Sequence, residues 1–299
     1  MIRLTLTVLI LSALAGCGKT PAPLYALHES SEVSTPVEPD QFDPQAGGQI
    51  QGRVTWQGPR PDKKSFYYPT LFPGEMGLHQ PLRNSLIPRI SEKDGMGDVA
   101  VFLRGVDPGR AKPWDLPDVS VEIQKERMSV LQGAATDSRF GFVRAGQEVN
   151  MVSRDPAIQL VRGRDAAYFT ITLAKPNDPR RQRFSKTGKV ELSSASLFYW
   201  MRTWIYVSDH PYFTRTNEDG EFLLSDVPEG TYELVSVVPN WYVKHAERDP
   251  ELMGYSRVWY RLPVEQVHQI QVKRGETAQV NFEVKLEDFD DRSDHRRSN

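Results

Sequence analysis

Apolar and polar residues alternate one by one through the body of this chain. That period of two commits it to strands, because successive side chains on a strand point to opposite faces. Ile50, Gly52, Val54 and Trp56 alternate with Gln51, Arg53 and Thr55, and Val119, Val121 and Ile123 with Ser120 and Glu122. The same rhythm sets Ala167, Phe169, Ile171 and Leu173 against Tyr168, Thr170 and Thr172. It recurs where Ala278, Val280, Phe282 and Val284 alternate with Gln279, Asn281 and Glu283. Val99 to Leu103 is apolar without interruption, the mark of a strand covered on both faces. Turn residues punctuate these runs at Asp107-Pro108-Gly109, Thr187-Gly188, Asp219-Gly220, Pro228-Glu229-Gly230 and Arg274-Gly275. Ala246 to Met253 is the best short helical candidate. Short strands with frequent turns predict an all-β protein built as sandwiches or barrels.

The two ends read differently. Arg3 and the apolar run Leu4 to Ala15 have the order of an export signal, and the run is too short for a stop-transfer helix. It closes on Leu14-Ala15-Gly16-Cys17, which resembles the lipobox of bacterial lipoproteins. The resemblance implies removal of residues 1–16 and acylation of Cys17. Each buried acyl methylene contributes about 0.8 kcal/mol, so two or three chains hold a protein on a membrane. Gly18, in place of an aspartate, points to the outer membrane, at its periplasmic face or the cell surface. Residues 17–47, rich in Pro, Ser, Glu and Gly, are expected to form a flexible tether, and residues 287–299 a charged, frayed tail.

Cys17 is the chain's single cysteine. The mature fold therefore has no internal disulfide, and no thiolate is left for a metal or for nucleophilic catalysis. A formal net charge of −2 gives no sign of a nucleic-acid partner, which demands a basic face.

Two stretches resemble known families. Thr216-Asn217-Glu218-Asp219-Gly220-Glu221-Phe222, followed by Val227-Pro228-Glu229-Gly230-Thr231-Tyr232-Glu233-Leu234, resembles carboxypeptidase regulatory-like domains, which are prealbumin-like (transthyretin-like) sandwiches. Asp219-Gly220 reads as a tight hairpin turn, and Phe222, Tyr232 and Leu234 as core. The family's first strand carries Gly-x-Val, matched by Gly52-Arg53-Val54. The region between is similar to cupredoxin-like domains, through Val143 to Val149, Ser153-Arg154-Asp155-Pro156, Trp200-Met201-Arg202 and Asp209 to Phe213. The two resemblances imply a cupredoxin-like Greek-key domain (96–209) inserted into a regulatory-like sandwich (48–95 and 210–286). They also imply where copper ligands would lie. The first histidine position falls on Gln159, the cysteine on Ala195 and the second histidine on Phe198, and only Met201 matches. A blue-copper centre needs two histidines and a thiolate, so no cofactor and no metal are expected.

The remaining candidates are for binding. The six histidines are dispersed, with no pair at metal-ligand spacing. His210 beside Asp209 reads as a packed inter-domain corner, with Asp209 capping a turn and Tyr212 and Phe213 packing. Asn217-Glu218-Asp219 and Glu92-Lys93-Asp94-Gly95 read as turns rather than calcium loops. Arg180, Arg181 and Arg183 form the one basic cluster, either a solvated hairpin loop or a contact for an anionic glycan or headgroup. Asn240-Trp241-Tyr242 follows a strand through Pro239 and is the best candidate for an exposed recognition loop, with Trp241 and Tyr242 as its contacts. No nucleophile, metalloprotease, phosphate-loop or dinucleotide motif occurs, and no catalytic residue is assigned. A carboxylate pair for glycoside hydrolysis needs no local spacing and stays open. The expected function is a membrane-anchored, non-catalytic envelope module that binds a glycan or a protein. The alternative is an accessory of a secreted degradative or redox system with residual metal binding.

Overall fold

The computed structural model describes residues 42–61, 65–69, 79–196, 198–248 and 255–289. Cys17, the export signal, residues 18–41 and residues 290–299 lie outside the described residues; residues 44–46 of the expected tether and 287–289 of the expected frayed tail instead form short 3-10 turns, the second held by the buried ring of Phe289. Among the described residues no helix is long and apolar enough to cross a membrane.

The chain enters through β1 (Gly47–Gln57), the hairpin β2 (Ser65–Pro69) and β3 (His79–Arg83), the short pair β4 (Arg89–Ile90) and β5 (Met96–Gly97), and β6 (Ala100–Arg104). Next come β7 (Val119–Gln124), β8 (Arg127–Gln132), β9 (Ala135–Ser138), β10 (Phe140–Arg144) and β11 (Glu148–Ser153). They are followed by β12 (Gln159–Asp165), β13 (Phe169–Leu173), β14 (Arg180–Arg183), β15 (Gly188–Ser194) and β16 (Arg202–Ser208). The return consists of β17 (Phe213–Arg215), β18 (Glu221–Pro228), β19 (Gly230–Val238) and the hairpin β20 (Val243–Arg248) and β21 (Tyr255–Tyr260). It ends with β22 (Val264–Val272), β23 (Thr277–Gln279) and β24 (Phe282–Lys285). Ala246 to Arg248, expected as the start of a helix, lies in β20 instead, where Ala246 pairs with Val258; Met253 is outside the described residues.

These strands build two sandwiches, one inserted in the other. In the outer one, a sheet ordered β18-β1-β23, with β24 also on β1, packs against a sheet ordered β17-β6-β19-β22. Their facing side chains form one core, with Ile50 and Val54 from β1, Val101 and Leu103 from β6, Leu234 from β19 and Phe282 from β24. Phe222 and Tyr232 join it, as their strand positions require. The Gly-x-Val glycine has a physical reason here, since a β-carbon on Gly52 would overlap the Val280 carbonyl where β1 passes from β23 to β24. Gly220 has φ +82°, and a β-carbon there would meet the Val54 carbonyl, so the Asp-Gly turn needs glycine on both counts.

The inserted sandwich is a Greek-key pair of five-stranded sheets, ordered β14-β11-β7-β8-β9 and β10-β16-β15-β12-β13. Val121, Val130 and Met151 from the first sheet meet Val161, Val190 and Ile205 from the second. Its first strand is β7, so the boundary expected at residue 96 belongs later. Residues 96–104 pair inside the outer sandwich, β6 lying between β17 and β19. The reason lies in the uninterrupted apolar run. Val101 and Leu103 face the outer core, while Ala100 and Phe102 face the other way, into a third cluster. That cluster joins the sandwiches, with Phe102, Phe213, Val235 and Val237 of the outer one against Phe140, Phe142 and Tyr206 of the inserted one. Ring centroids lie 5.0 Å apart for Phe102 and Phe213, 5.3 Å for Phe102 and Tyr206, and 5.4 Å for Phe142 and Phe213. Burial raises the Tyr206 hydroxyl pKa above its ordinary value.

Candidate functional site

The positions aligned with copper ligands do come together at one end of the inserted sandwich. Ala195 N–H donates to the Leu160 carbonyl at 2.8 Å, Ser194 N–H to Met201 O at 3.2 Å, and Met201 N–H to Phe198 O at 3.0 Å. Gln159, at the start of β12, is 1 % exposed, and neither atom of its carboxamide has a hydrogen-bond partner. A carboxamide, a methyl group, a phenyl ring and one thioether do not fit a type-1 copper ion, which takes imidazoles and a thiolate. Among the described residues no group of three His, Cys, Asp or Glu is placed to hold any metal. The hairpin β20–β21 packs on this region, with Val258 joining Tyr199, Trp200 and Met201 in the core. The Arg202 guanidinium lies over the Tyr260 ring at 4.8 Å and donates to Val258 O at 3.1 Å.

The two binding candidates from the sequence lie in different settings. Trp241 is 7 % exposed, which corrects its expected place on an open loop. Its ring lies 4.3 Å from that of Phe289 and 6.2 Å from that of Trp56. Asn240 is also buried; it donates to Phe289 O and accepts the Tyr242 N–H. Pro239 ends the strand, but the turn Leu286–Phe289 supplies an aromatic partner that no local pattern announces. Tyr242 stays partly exposed, beneath the Arg261 guanidinium. Arg180, Arg181 and Arg183 lie on the edge strand β14 rather than in a loop. Arg180 pairs with Asp178 at 3.3 Å, and Arg181 and Arg183 both reach Glu148, at 3.8 and 3.2 Å. Exposed ion pairs of this kind contribute little to stability, and charged side chains on an edge strand block pairing with other chains. The basic patch belongs to the inserted sandwich and the aromatic loop to the outer one. His210 is a packed corner, stacked on Phe213 at 5.4 Å and Tyr212 at 5.9 Å, and its turn is capped by Ser208 Oγ.

A groove of about 1510 Å³ lies where the sandwiches meet, over the polar half of the β1 alternation. Its floor is the outer face of the first outer sheet, where Gln51 pairs with Leu223 on one side and Gln279 on the other, and Arg53 with Glu221. Ala134 and the strand β9 of the inserted sandwich line it, as do Arg89 and the strand β17. Leu223 is 51 % exposed there.

Beneath it lies a buried ion pair that sequence reading missed. The Arg139 Nε donates to Asp98 Oδ2 at 2.9 Å, with side chains 5 % and 8 % exposed. Asp98 also accepts the Arg139 backbone N–H at 3.0 Å and the Ser138 hydroxyl, while Arg139 Nη2 donates to Asp98 O and Nη1 to Leu86 O. Burial holds the Arg139 guanidinium pKa below its usual value, and the Asp98 charge opposes that shift. Next to this pair, Arg215 Nη2 donates to Gln132 Oε1 at 2.8 Å and to Phe140 O at 2.9 Å, stitching β17 to the inserted sandwich. Gln132 Nε2 donates in turn to Pro117 O and Phe142 O. The Arg139–Asp98 pair, bonded on several sides, fixes orientation, because any displacement strands a charge away from water.

Three arginines (Arg53, Arg89, Arg215) and four carboxylates (Asp98, Asp137, Glu218, Glu221) line the groove, so its charges nearly cancel. Among the described residues it has no histidine or cysteine in its lining, and Phe222, its one aromatic, is buried. Such a surface offers hydrogen bonds to a polar chain.

No protein-family model and no curated protein matches the sequence. Solved structures similar to part of the chain include a reduced mutant of amicyanin, 15 % identical with a TM-score of 0.25, covering 30 % of this chain and 82 % of that one. Another is an oxidised mutant of amicyanin, 11 % identical with a TM-score of 0.25, covering 36 % of this chain and 98 % of that one. At such scores the likeness decides nothing about this chain's chemistry; the two-sandwich, all-β architecture stands on its own strand pairing.

Proposed function

We propose that this chain is a membrane-tethered, non-catalytic binding module of the bacterial envelope, and that the groove between its sandwiches takes a polar, extended ligand, a glycan strand or a peptide. The observation that carries the reading is the groove itself, about 1510 Å³, over a floor of Gln51, Arg53, Leu223 and Gln279. Ligand sites favour domain junctions, and a near-neutral lining rich in amide groups suits hydrogen bonding to hydroxyls or a peptide backbone. The redox alternative finds no support in the donor set around Gln159. The lipid anchor rests on the Leu14-Ala15-Gly16-Cys17 pattern.

Two measurements test the reading. Cells labelled with radioactive palmitate incorporate it into the native chain and not into Cys17→Ser; equal labelling of both would refute the anchor. A Cys17→Ser chain, free of lipid, is applied to a glycan array and to solubilised envelope. A second chain adds Leu223→Arg and Gln279→Arg on the exposed groove floor. Retention by the first and loss in the second, at unchanged thermal stability, supports the groove; equal retention by both places binding elsewhere.

A further inference from the structure

Next to the groove is a smaller cavity of about 340 Å³, sharing Arg89, Asp137 and Ser138 with it. Its composition differs sharply. Four guanidiniums line it, from Arg89, Arg127, Arg139 and Arg202, and among the described lining residues Asp137 is the only carboxylate. The charges can be followed one at a time. Arg139 is neutralised by Asp98 at 2.9 Å, outside the cavity wall. Arg202 has Glu191 at 3.6 Å. Arg89 and Arg127 both lean on one Asp137 oxygen, at 3.1 and 3.6 Å, so two cations share one anion. One positive charge is left over.

A second observation points the same way. The Nε of Arg202 is buried and has no hydrogen-bond partner, although the guanidinium is held in place by Val258 O. A buried donor without an acceptor is costly, so hydrogen-bonding capacity in this wall is left unmet. Arginine forks match the paired oxygens of carboxylates and phosphates. A cavity of this size lies within the range of small-molecule sites.

We propose that this cavity is a binding site for a small oxyanion, a carboxylate or phosphate group borne on a compact organic molecule, held by the surplus charge of Arg89 and Arg127. The site shares Arg89, Asp137 and Ser138 with the groove but is completed by Arg127 and Arg202, which the groove does not include, so a groove that binds nothing leaves it standing. Asp137 competes with the ligand for the same two arginines. Arg89 is kept in place without that carboxylate, because its Nη2 also donates to the Asp137 backbone carbonyl at 2.6 Å.

The test is a titration of the Cys17→Ser chain with glucuronate, inorganic phosphate and glucose, followed through the arginine Nε–Hε resonances. Glucuronate or phosphate, and not glucose, shifts the Arg89, Arg127 and Arg202 signals. A response to glucuronate alone assigns a carboxylate, and a response to phosphate alone a phosphate. Arg127→Glu, at a side chain 60 % exposed, loses about tenfold or more in affinity, since it replaces the surplus cation with an anion. Asp137→Asn, also exposed, tightens binding by about tenfold, because the competing charge is gone. Arg181→Glu, in the unrelated edge patch, changes nothing. No response to either anion, an equal response to glucose, weaker binding in Asp137→Asn, or equal loss in Arg181→Glu would each overturn the proposal.

Discussion

On one side of the junction between the sandwiches, Phe102, Phe140, Phe142, Tyr206 and Phe213 close ring against ring. On the other, Asp98, Arg139, Gln132 and Arg215 hold the same two sandwiches together beside an open groove. The aromatic side is stabilised by area removed from water, which is large and indifferent to orientation. The polar side is stabilised only while each donor keeps its acceptor, which makes it specific in geometry and intolerant of single losses. An open cleft thereby coexists with a fixed junction. Apolar burial supplies the adhesion, and the buried charges set the shape that a ligand meets.

The largest expected effect tests the adhesive side. Phe140→Ala removes a ring that is 1 % exposed and costs about 3–5 kcal/mol in urea unfolding. Because Phe140 also stacks on Trp204 at 5.7 Å, fluorescence and circular dichroism shift together if the junction is part of one cooperative core. A cost below about 1 kcal/mol would mean the rings merely touch.

The next effect tests the polar side. Asp98→Asn strands the Arg139 guanidinium in a buried site and costs about 3 kcal/mol. Asparagine is the suitable replacement because residue 98 has φ +57°, a conformation asparagine accepts. If this variant costs less than the surface change Asp137→Asn, the ion pair does not organise the groove.

The smallest effect is a pH dependence at the corner between the two sides. His210 Nδ1 accepts the Tyr212 N–H at 3.3 Å, so the folded chain holds a neutral imidazole. Burial lowers its pKa below the ordinary 6.5, against a weaker pull from Asp209. Below pH 6.5 the unfolded chain therefore binds the proton first. The stability due to this histidine is complete above that value and is lost as pH falls through the folded pKa. Melting temperatures between pH 7.5 and about 5 should fall more steeply for the native chain than for His210→Asn, whose carbonyl can still accept the Tyr212 N–H. Parallel curves would remove His210 from the account.

The uneven legibility of the sequence follows from the range of the interactions. Ile50 to Trp56 and Val119 to Ile123 announce strands because alternation is a local property of the pleat. Gly220 and Gly52 could be singled out because glycine marks positive φ and close approach. The apolar run at Val99 to Leu103 even announced two covering layers, though not which sandwich owned it. Trp241 was misplaced because its partners, Trp56 and Phe289, lie far away along the chain.

By itself, then, the sequence determined the all-β class and the turns, which rest on residue identity and spacing of two to four positions. Only the tertiary structure decided where the insertion begins, which arginines share a carboxylate and where a ligand would find room. Asp98 and Arg139 are 41 positions apart, and Gln132 and Arg215 are 83 apart. Nothing in the neighbourhood of either residue encodes the other; the pairing exists because apolar burial elsewhere forces the two sandwiches into contact and brings these polar groups together away from water.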